Sequence, residues 1–293
     1  MPALSAAALP AGWQSLRIPG HGIGLHAVTA GPEDGRLVVL LHGFPEFWYG
    51  WRHQIGPLAE AGLRIVVPDQ RGYNLSDKPA QIAAYRLDAL ADDMLGLADA
   101  LGTERFSVVG HDWGAVVAWH LASRDPGRIE RAAILNGPHP ASYLPFLSRH
   151  PKQAMKSYYV GLFQFPWLPE LALSAGHFFV LKNTMVRSGR SGTFAAADWP
   201  HYRAAWRQPG ALSAMLNWYR ARARDFAGLR PRRVGVPVRI IWGERDAFLE
   251  SGLVAESAAL CDNAEIFRLK DATHWVQHDA PDEVNRLLRE FLA

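Results

Sequence analysis

The chain has 293 residues, 49% of them hydrophobic and 20% charged, which suits one large core domain with an elaboration and excludes a disordered chain. Its 31 Lys and Arg nearly balance 28 Asp and Glu, so the net charge of +3 does not point to nucleic acid. The single cysteine, Cys261, excludes an internal disulfide framework and fits a reducing compartment.

The opening stretch MPALSAAALPAGW lacks a basic region and a sustained hydrophobic run, so it does not read as a secretory signal. No segment approaches the roughly 20 apolar residues of a membrane span. A cytoplasmic protein without a membrane span is expected.

Short apolar runs alternate with segments of helical period, the pattern of a mostly parallel sheet with helices on both faces. The first two runs, Leu37 to Leu41 and Leu63 to Val67, read as central strands. Directly after the first comes His42-Gly43-Phe44-Pro45, a loop that can aim the Phe44 amide at a developing oxyanion. His42 reads as structural. Leu90, Met94, Leu97 and Leu101 then fall at spacings of four, three and four, a crossover helix that Gly102 is placed to end.

The next strand, Phe106 to Val109, runs into Gly110-His111-Asp112-Trp113-Gly114 and a helix-compatible segment. Strand, sharp turn and helix are the setting of a nucleophile elbow, with Asp112 at its centre. Glycine on both flanks suits so tight a turn. Taken alone, the pentapeptide also fits a Gly-rich turn with a helix-capping Asp. The strand Ala132 to Leu135 follows, and the turn after it, Asn136-Gly137-Pro138, holds no carboxylate.

From 139 to 235 the alternation stops. This stretch, rich in Trp, Tyr, Phe, Pro and Arg, reads as a helical cap inserted between core segments 1–138 and 236–293. A lid there can cover the carboxyl ends of the strands, where open α/β sheets bind ligands. Its densest basic cluster, Arg220, Arg222, Arg224, Arg230, Arg232 and Arg233, reads as a solvated helix face and its exit loop.

The remaining strands are Val238 to Trp242 and Glu265 to Leu269, before a last helix that begins near Pro281. Gly243-Glu244-Arg245-Asp246 follows the former and Asp271-Ala272-Thr273-His274-Trp275 the latter, so the chain order is nucleophile, acid, histidine. Among twelve histidines, His274 alone lies between the last strand and the last helix. Asp246 is preferred as the acid to Glu244, which lies closer to the strand end, and to Asp271, which is too near His274 in sequence.

Over essentially its whole length the chain resembles the epoxide hydrolases of the α/β-hydrolase fold, through HGFPEFWYGWRHQI at 42 to 55, PDQRGYNLSDKP at 68 to 79 and GHDWGA at 110 to 115. The resemblance implies two cap tyrosines facing the nucleophile. Tyr159 and Tyr219 match by local context, with Tyr158, Tyr143 and Tyr202 as rivals. It implies ester formation on Asp112, with Tyr159 and Tyr219 supporting the departing oxygen. His274, oriented by Asp246, then activates water, and the amides of Phe44 and Trp113 receive the oxyanion. Neither metal nor organic cofactor is required.

The expected partner is a small epoxide, and a homodimer is left open. Phe163 and Trp113 are expected to touch substrate, and the cap aromatics Phe163, Phe165, Trp167, Phe178 and Phe179 suggest that it is apolar. The rival reading is a haloalkane dehalogenase, which shares the nucleophile and the acid-histidine pair and can use an indole such as that of Trp113. Phe44 stands where such enzymes commonly carry an Asn that supports halide, and the tyrosine pair has no part in halide departure. A fluoroacetate dehalogenase would be expected to carry an arginine at Trp113. A non-catalytic binding protein on this fold would be expected to lose a member of the catalytic set.

Overall fold

The computed structural model describes residues 9–224 and 232–293. Eight strands form one sheet: β1 (Gln14–Pro19), β2 (Gly24–Ala30), β3 (Leu37–Leu41), β4 (Arg64–Pro68), β5 (Phe106–His111), β6 (Ile129–Leu135), β7 (Val238–Gly243) and β8 (Ala264–Leu269). Their order is β1-β2-β4-β3-β5-β6-β7-β8. From β4 to β8 every neighbouring pair is parallel, whereas β2 pairs antiparallel with both β1 and β4.

All six expected strands form. The β1 and β2 hairpin was not expected, and β8 is an edge strand instead of a central one, with a largely exposed pattern. The strands of the middle are buried on both faces, which is why they read as continuous Val, Ile and Leu runs. Side chains alternate between two cores across the sheet. Leu37, Val39 and Leu41 pack toward α2 (Leu87–Ala100) and α3 (Trp113–Arg124). Val38 and Leu40 pack toward α1 (Arg52–Glu60) and the final helix, where Val284, Leu287, Leu288 and Phe291 are buried.

Between β6 and β7 lie α4 (Pro140–Arg149), α5 (Pro151–Lys156), α6 (Tyr158–Leu162), α7 (Leu168–Ser188), α8 (Asp198–Trp206) and α9 (Ala211–Arg224). The helix α7 is broken at Ala175, Gly176, His177 and Phe178, the last three of which have positive φ. The insertion is pinned to the sheet by directed polar contacts. The Trp206 indole donates to the Pro45 carbonyl at 2.6 Å and that of Trp218 to the Arg71 carbonyl at 2.9 Å. Arg52 pairs with Asp198 at 3.1 Å, and the Tyr202 hydroxyl donates to buried Glu46 at 2.5 Å.

The basic cluster expected on one solvated face is divided. Arg220 is buried, because Glu170 pairs with it at 2.7 Å and the carbonyls of Phe163 and Phe165 accept its remaining protons at 3.0 and 2.7 Å. Arg224, Arg232 and Arg233 are exposed, Arg222 lines a cavity, and Arg230 lies outside the described residues. The helix α10 (Gly252–Ala258) ends shortly before Cys261, whose thiol is pushed up to about 12 by burial. Two last helices, α11 (Val276–Asp279) and α12 (Pro281–Leu292), close the chain.

Candidate active site

The parallel register brings the carboxyl ends of five strands to one edge. Leu41 of β3 pairs with Gly110 of β5, His111 with Leu135 of β6, Leu135 with Ile241 of β7, and Gly243 with Leu269 of β8. The loops leaving these ends therefore carry Phe44, Asp112, Asn136, Asp246 and His274 into one place.

Asp112 sits at the junction of β5 and α3 with φ 51° and ψ −117°, a conformation that side chains rarely adopt. The flanking glycines follow from this turn. A Cβ on Gly110 would lie 2.3 Å from the Gly114 carbonyl oxygen, and one on Gly114 would lie 2.1 Å from that of Leu41. A Cβ on Gly43 would lie 2.4 Å from that of Asp112, so Gly43 is what lets the neighbouring loop approach. The approach puts the Phe44 amide 2.8 Å from Asp112 Oδ1, as a donor. Trp113 opens α3, and an amide in the first turn of a helix has no intrahelical acceptor.

His274 Nε2 stands 3.6 Å from Asp112 Oδ2, while its Nδ1 lies 2.8 Å from Asp246 Oδ2. Asp246 is buried and fully engaged. Its Oδ1 accepts from the amides of Phe248 and Leu249 at 2.7 and 2.9 Å, and its Oδ2 also accepts from Asn136 Nδ2 at 2.7 Å. Burial opposes its charge, but His274 and these donors hold its pKa below the ordinary value. For His274, burial also opposes the charged form; the carboxylates of Asp246 and Asp112 outweigh it and push the pKa up to about 10. The competitors for the acid point elsewhere: Glu244 pairs with Arg268 and Asp271 with Arg245, at 2.6 Å each.

Asn136 is the residue that the sequence alone did not single out. Besides binding Asp246, its Oδ1 accepts from the Gly243 amide at 2.8 Å, tying the ends of β6 and β7 together. Lys156 likewise donates to the Asp246 carbonyl at 2.8 Å. His42 is structural as expected, buried with its Nε2 accepting from the Gln70 amide at 3.1 Å.

Two cavities meet at the nucleophile. A large one of about 520 Å³ is walled by Phe44, Phe163, Phe165, Phe248, His274 and Trp275, among others. A small one of about 90 Å³ lies toward Trp113, Tyr143 and Arg222. Asp112, Tyr159 and Tyr219 border both. Tyr219 is buried on α9 with its ring 4.9 Å from that of Trp113 and 6.1 Å from that of Tyr159. The ring of Phe163 packs 5.0 Å from Tyr219 and 5.5 Å from Tyr159.

Burial above all, with the charge of Asp112 nearby, raises the pKa of both tyrosines well above 10. Both remain neutral donors at physiological pH. The rival tyrosines are placed differently: Tyr202 donates to Glu46, Tyr143 pairs with the Ser157 hydroxyl at 2.7 Å, and Tyr158 is exposed at the rim of the large cavity.

Not all the cap aromatics face substrate. Phe163 and Phe165 line the large cavity, but Trp167 and Phe179 project to solvent and Phe178 packs on Trp206. The break in α7 resets the helical phase, so neighbours in sequence face opposite ways. Among the described residues no group of three or more His, Cys, Asp or Glu side chains is placed to hold a metal ion, and no helix is long and apolar enough to cross a membrane.

Residues 36–281 match the α/β hydrolase fold family. AB hydrolase superfamily protein YfhM of Bacillus subtilis is 47% identical over 272 residues, covering 93% of this chain and 95% of the relative. Human epoxide hydrolase 4 is 38% identical over 285 residues, covering 94% of this chain and 78% of the relative. The crystal structure of Bacillus megaterium epoxide hydrolase in complex with an inhibitor superposes with a TM-score of 0.88 at 31% identity, covering 94% of this chain and 99% of that one. The chain thus belongs to the α/β-hydrolase fold family and, within it, to the epoxide hydrolases.

Proposed function

We propose that this epoxide hydrolase opens an apolar epoxide through a covalent ester on Asp112, and that the ester is hydrolysed by water activated at His274. The observation that carries the reading is the shared border of the two cavities, which is lined by one carboxylate, Asp112, and two phenols, Tyr159 and Tyr219. An epoxide bound there has its carbon at Asp112 and its oxygen at Tyr159 and Tyr219, with apolar room on either side.

The Phe44 amide holds Oδ1, which leaves Oδ2 to attack carbon. As the C–O bond of the ring breaks, the oxygen takes a proton from one of the phenols. The ester carbonyl oxygen, Oδ1, is then already seated against the Phe44 amide, with the Trp113 amide as its second donor. Ester formation removes one of the two negative charges that keep His274 protonated, so its pKa falls, the imidazolium gives its proton back to the phenolate, and Nε2 becomes available as a base. Water attacks the ester carbonyl, giving its proton to His274. Collapse of the tetrahedral species releases the vicinal diol and restores the carboxylate. The proton taken from water restores the imidazolium of His274, the phenol having been reprotonated before hydrolysis, and the cycle nets epoxide and water to diol.

The same reading divides the chain into core segments 1–138 and 236–293 and a cap over 139–235, which supplies both tyrosines and Phe163. Cytoplasmic placement is supported by the lone, buried Cys261. Steady-state turnover of styrene oxide, aliphatic epoxides, fatty-acid epoxides and bromoalkanes tests the reading. Diol from the epoxides is expected; halide release from bromoalkanes without diol formation from any epoxide would replace it with dehalogenation.

A further inference from the structure

The cap is electrostatically unlike the rest of the chain. Residues 139–224 hold eleven Lys and Arg against two acids, Glu170 and Asp198, a net +9 in a chain of net +3, so the remainder is net negative. Both acids are already paired, Glu170 with Arg220 and Asp198 with Arg52. The same segment carries most of the large apolar side chains left in solvent. Met155 is 75% exposed, Trp167 71%, Leu171 64% and Phe179 62%.

Other exposed apolar residues of the cap stand at a functional opening. Tyr158, Leu162, Phe165, Leu168 and Val180 are exposed and at the same time line the large cavity, so the cavity opens within the apolar patch. A contiguous apolar surface of this kind on a soluble domain marks an interaction site. Two copies placed cap to cap would set one net-positive segment against another, which disfavours self-association here. Exposed Trp and Phe on a cap that also exposes Lys152, Arg187 and Arg207 instead fit an anionic lipid surface, where rings enter the headgroup layer and basic groups meet phosphates.

We propose that this face of the cap docks the enzyme on anionic phospholipid membranes, with the mouth of the large cavity against the lipid. Apolar substrate dissolved in the bilayer then reaches Asp112 without crossing water, a consequence that rests on the epoxide reading; the docking itself does not.

The test is sedimentation of the full chain with vesicles of phosphatidylcholine alone and of phosphatidylcholine and phosphatidylglycerol in equal parts, which needs no turnover. Binding to the mixed vesicles, weak binding to the neutral ones and a decline with salt are expected. The triple variant Trp167→Ser, Leu171→Ser, Phe179→Ser lies outside the cavity lining and should lower partitioning roughly tenfold or more. The pair Lys152→Glu and Arg187→Glu should abolish the preference for phosphatidylglycerol. Thermal melting checks that each variant is folded. Absence of binding to the mixed vesicles, or equal binding by parent and triple variant, would overturn the proposal. So would a concentration-dependent dimer dissolved by the triple variant, which would assign the face to a second copy. Turnover of a water-soluble epoxide in buffer reports separately on the active-site reading.

Discussion

Asn136 donates to the same Asp246 oxygen that faces His274, at 2.7 Å against 2.8 Å for the imidazole. The acid thus bridges the ends of β6, β7 and β8, and Asn136 brings the turn after β6 to it.

This relationship makes the acid partly transferable. Asp246→Asn removes the charge that orients and stabilises the imidazolium and should slow ester hydrolysis on the order of 10³- to 10⁴-fold. Adding Asn136→Asp restores a carboxylate one hydrogen bond away and keeps an acceptor for the Gly243 amide. The double variant should regain about tenfold over Asp246→Asn, a coupling of about 1 to 2 kcal/mol. Single-turnover rates of ester decay measure it. Strictly additive losses would mean that Asn136 only ties strands together.

The positive φ of Asp112 predicts that function is held against stability at this position. Asp112→Ala and Asp112→Gly both remove the nucleophile and should lower turnover to background. Glycine tolerates the conformation and alanine does not, so the Gly variant should unfold at higher denaturant, by about 1 kcal/mol after its greater unfolded-state entropy is discounted. A more stable Ala variant would show that the turn relaxes when the carboxylate is lost.

Tyr159→Phe and Tyr219→Phe should each slow ester formation about 10²-fold, since one phenol still supports the departing oxygen, and the double change should nearly stop it. Stopped-flow quenching of Trp fluorescence during a single turnover follows the step. Unchanged alkylation in the double variant would assign the donor to another group and revive the dehalogenase reading.

How much of this was legible follows from where each signal resides in the chain. Asp112, Asp246 and His274 each stand directly after an apolar strand, in loops whose residue types announce a sharp turn, so local sequence revealed them. Asn136 was visible only as a missing carboxylate, because its partner is distant in the chain and the contact exists only once β6 and β7 are side by side. The β1 strand escaped notice because QSLRIP offers only Leu16 and Ile18 as an alternating pair, too short a pattern to announce a strand, and buries only Ile18. The outward turn of Phe179 was hidden because the interruption at Ala175 to Phe178 breaks the helical period from which a face is read, and Trp167 stands before the helix in a left-handed conformation, outside any period.

The last prediction concerns the proton on His274. Its folded-state pKa is raised from 6.5 to about 10, so the protonated imidazole stabilises the fold fully below 6.5, and that contribution is lost as pH rises through about 10. Parent stability to urea should therefore fall over this window, and His274→Gln should flatten the fall. Catalysis needs the opposite form, because only neutral imidazole can take a proton from water. If the ester lowers the pKa by neutralising Asp112, decay of preformed ester should rise with pH along a curve centred well below 10. His274→Gln should form the ester and fail to discharge it. Intact-protein mass spectrometry should then find an adduct of one substrate mass, and peptide mapping should place it on Asp112. In water labelled with heavy oxygen, the first turnover of the parent should put label into Asp112 and not into the diol. Label in the diol at first turnover, together with no adduct on the variant, would mean that His274 activates water for direct attack on the ring and that Asp112 never bonds to carbon.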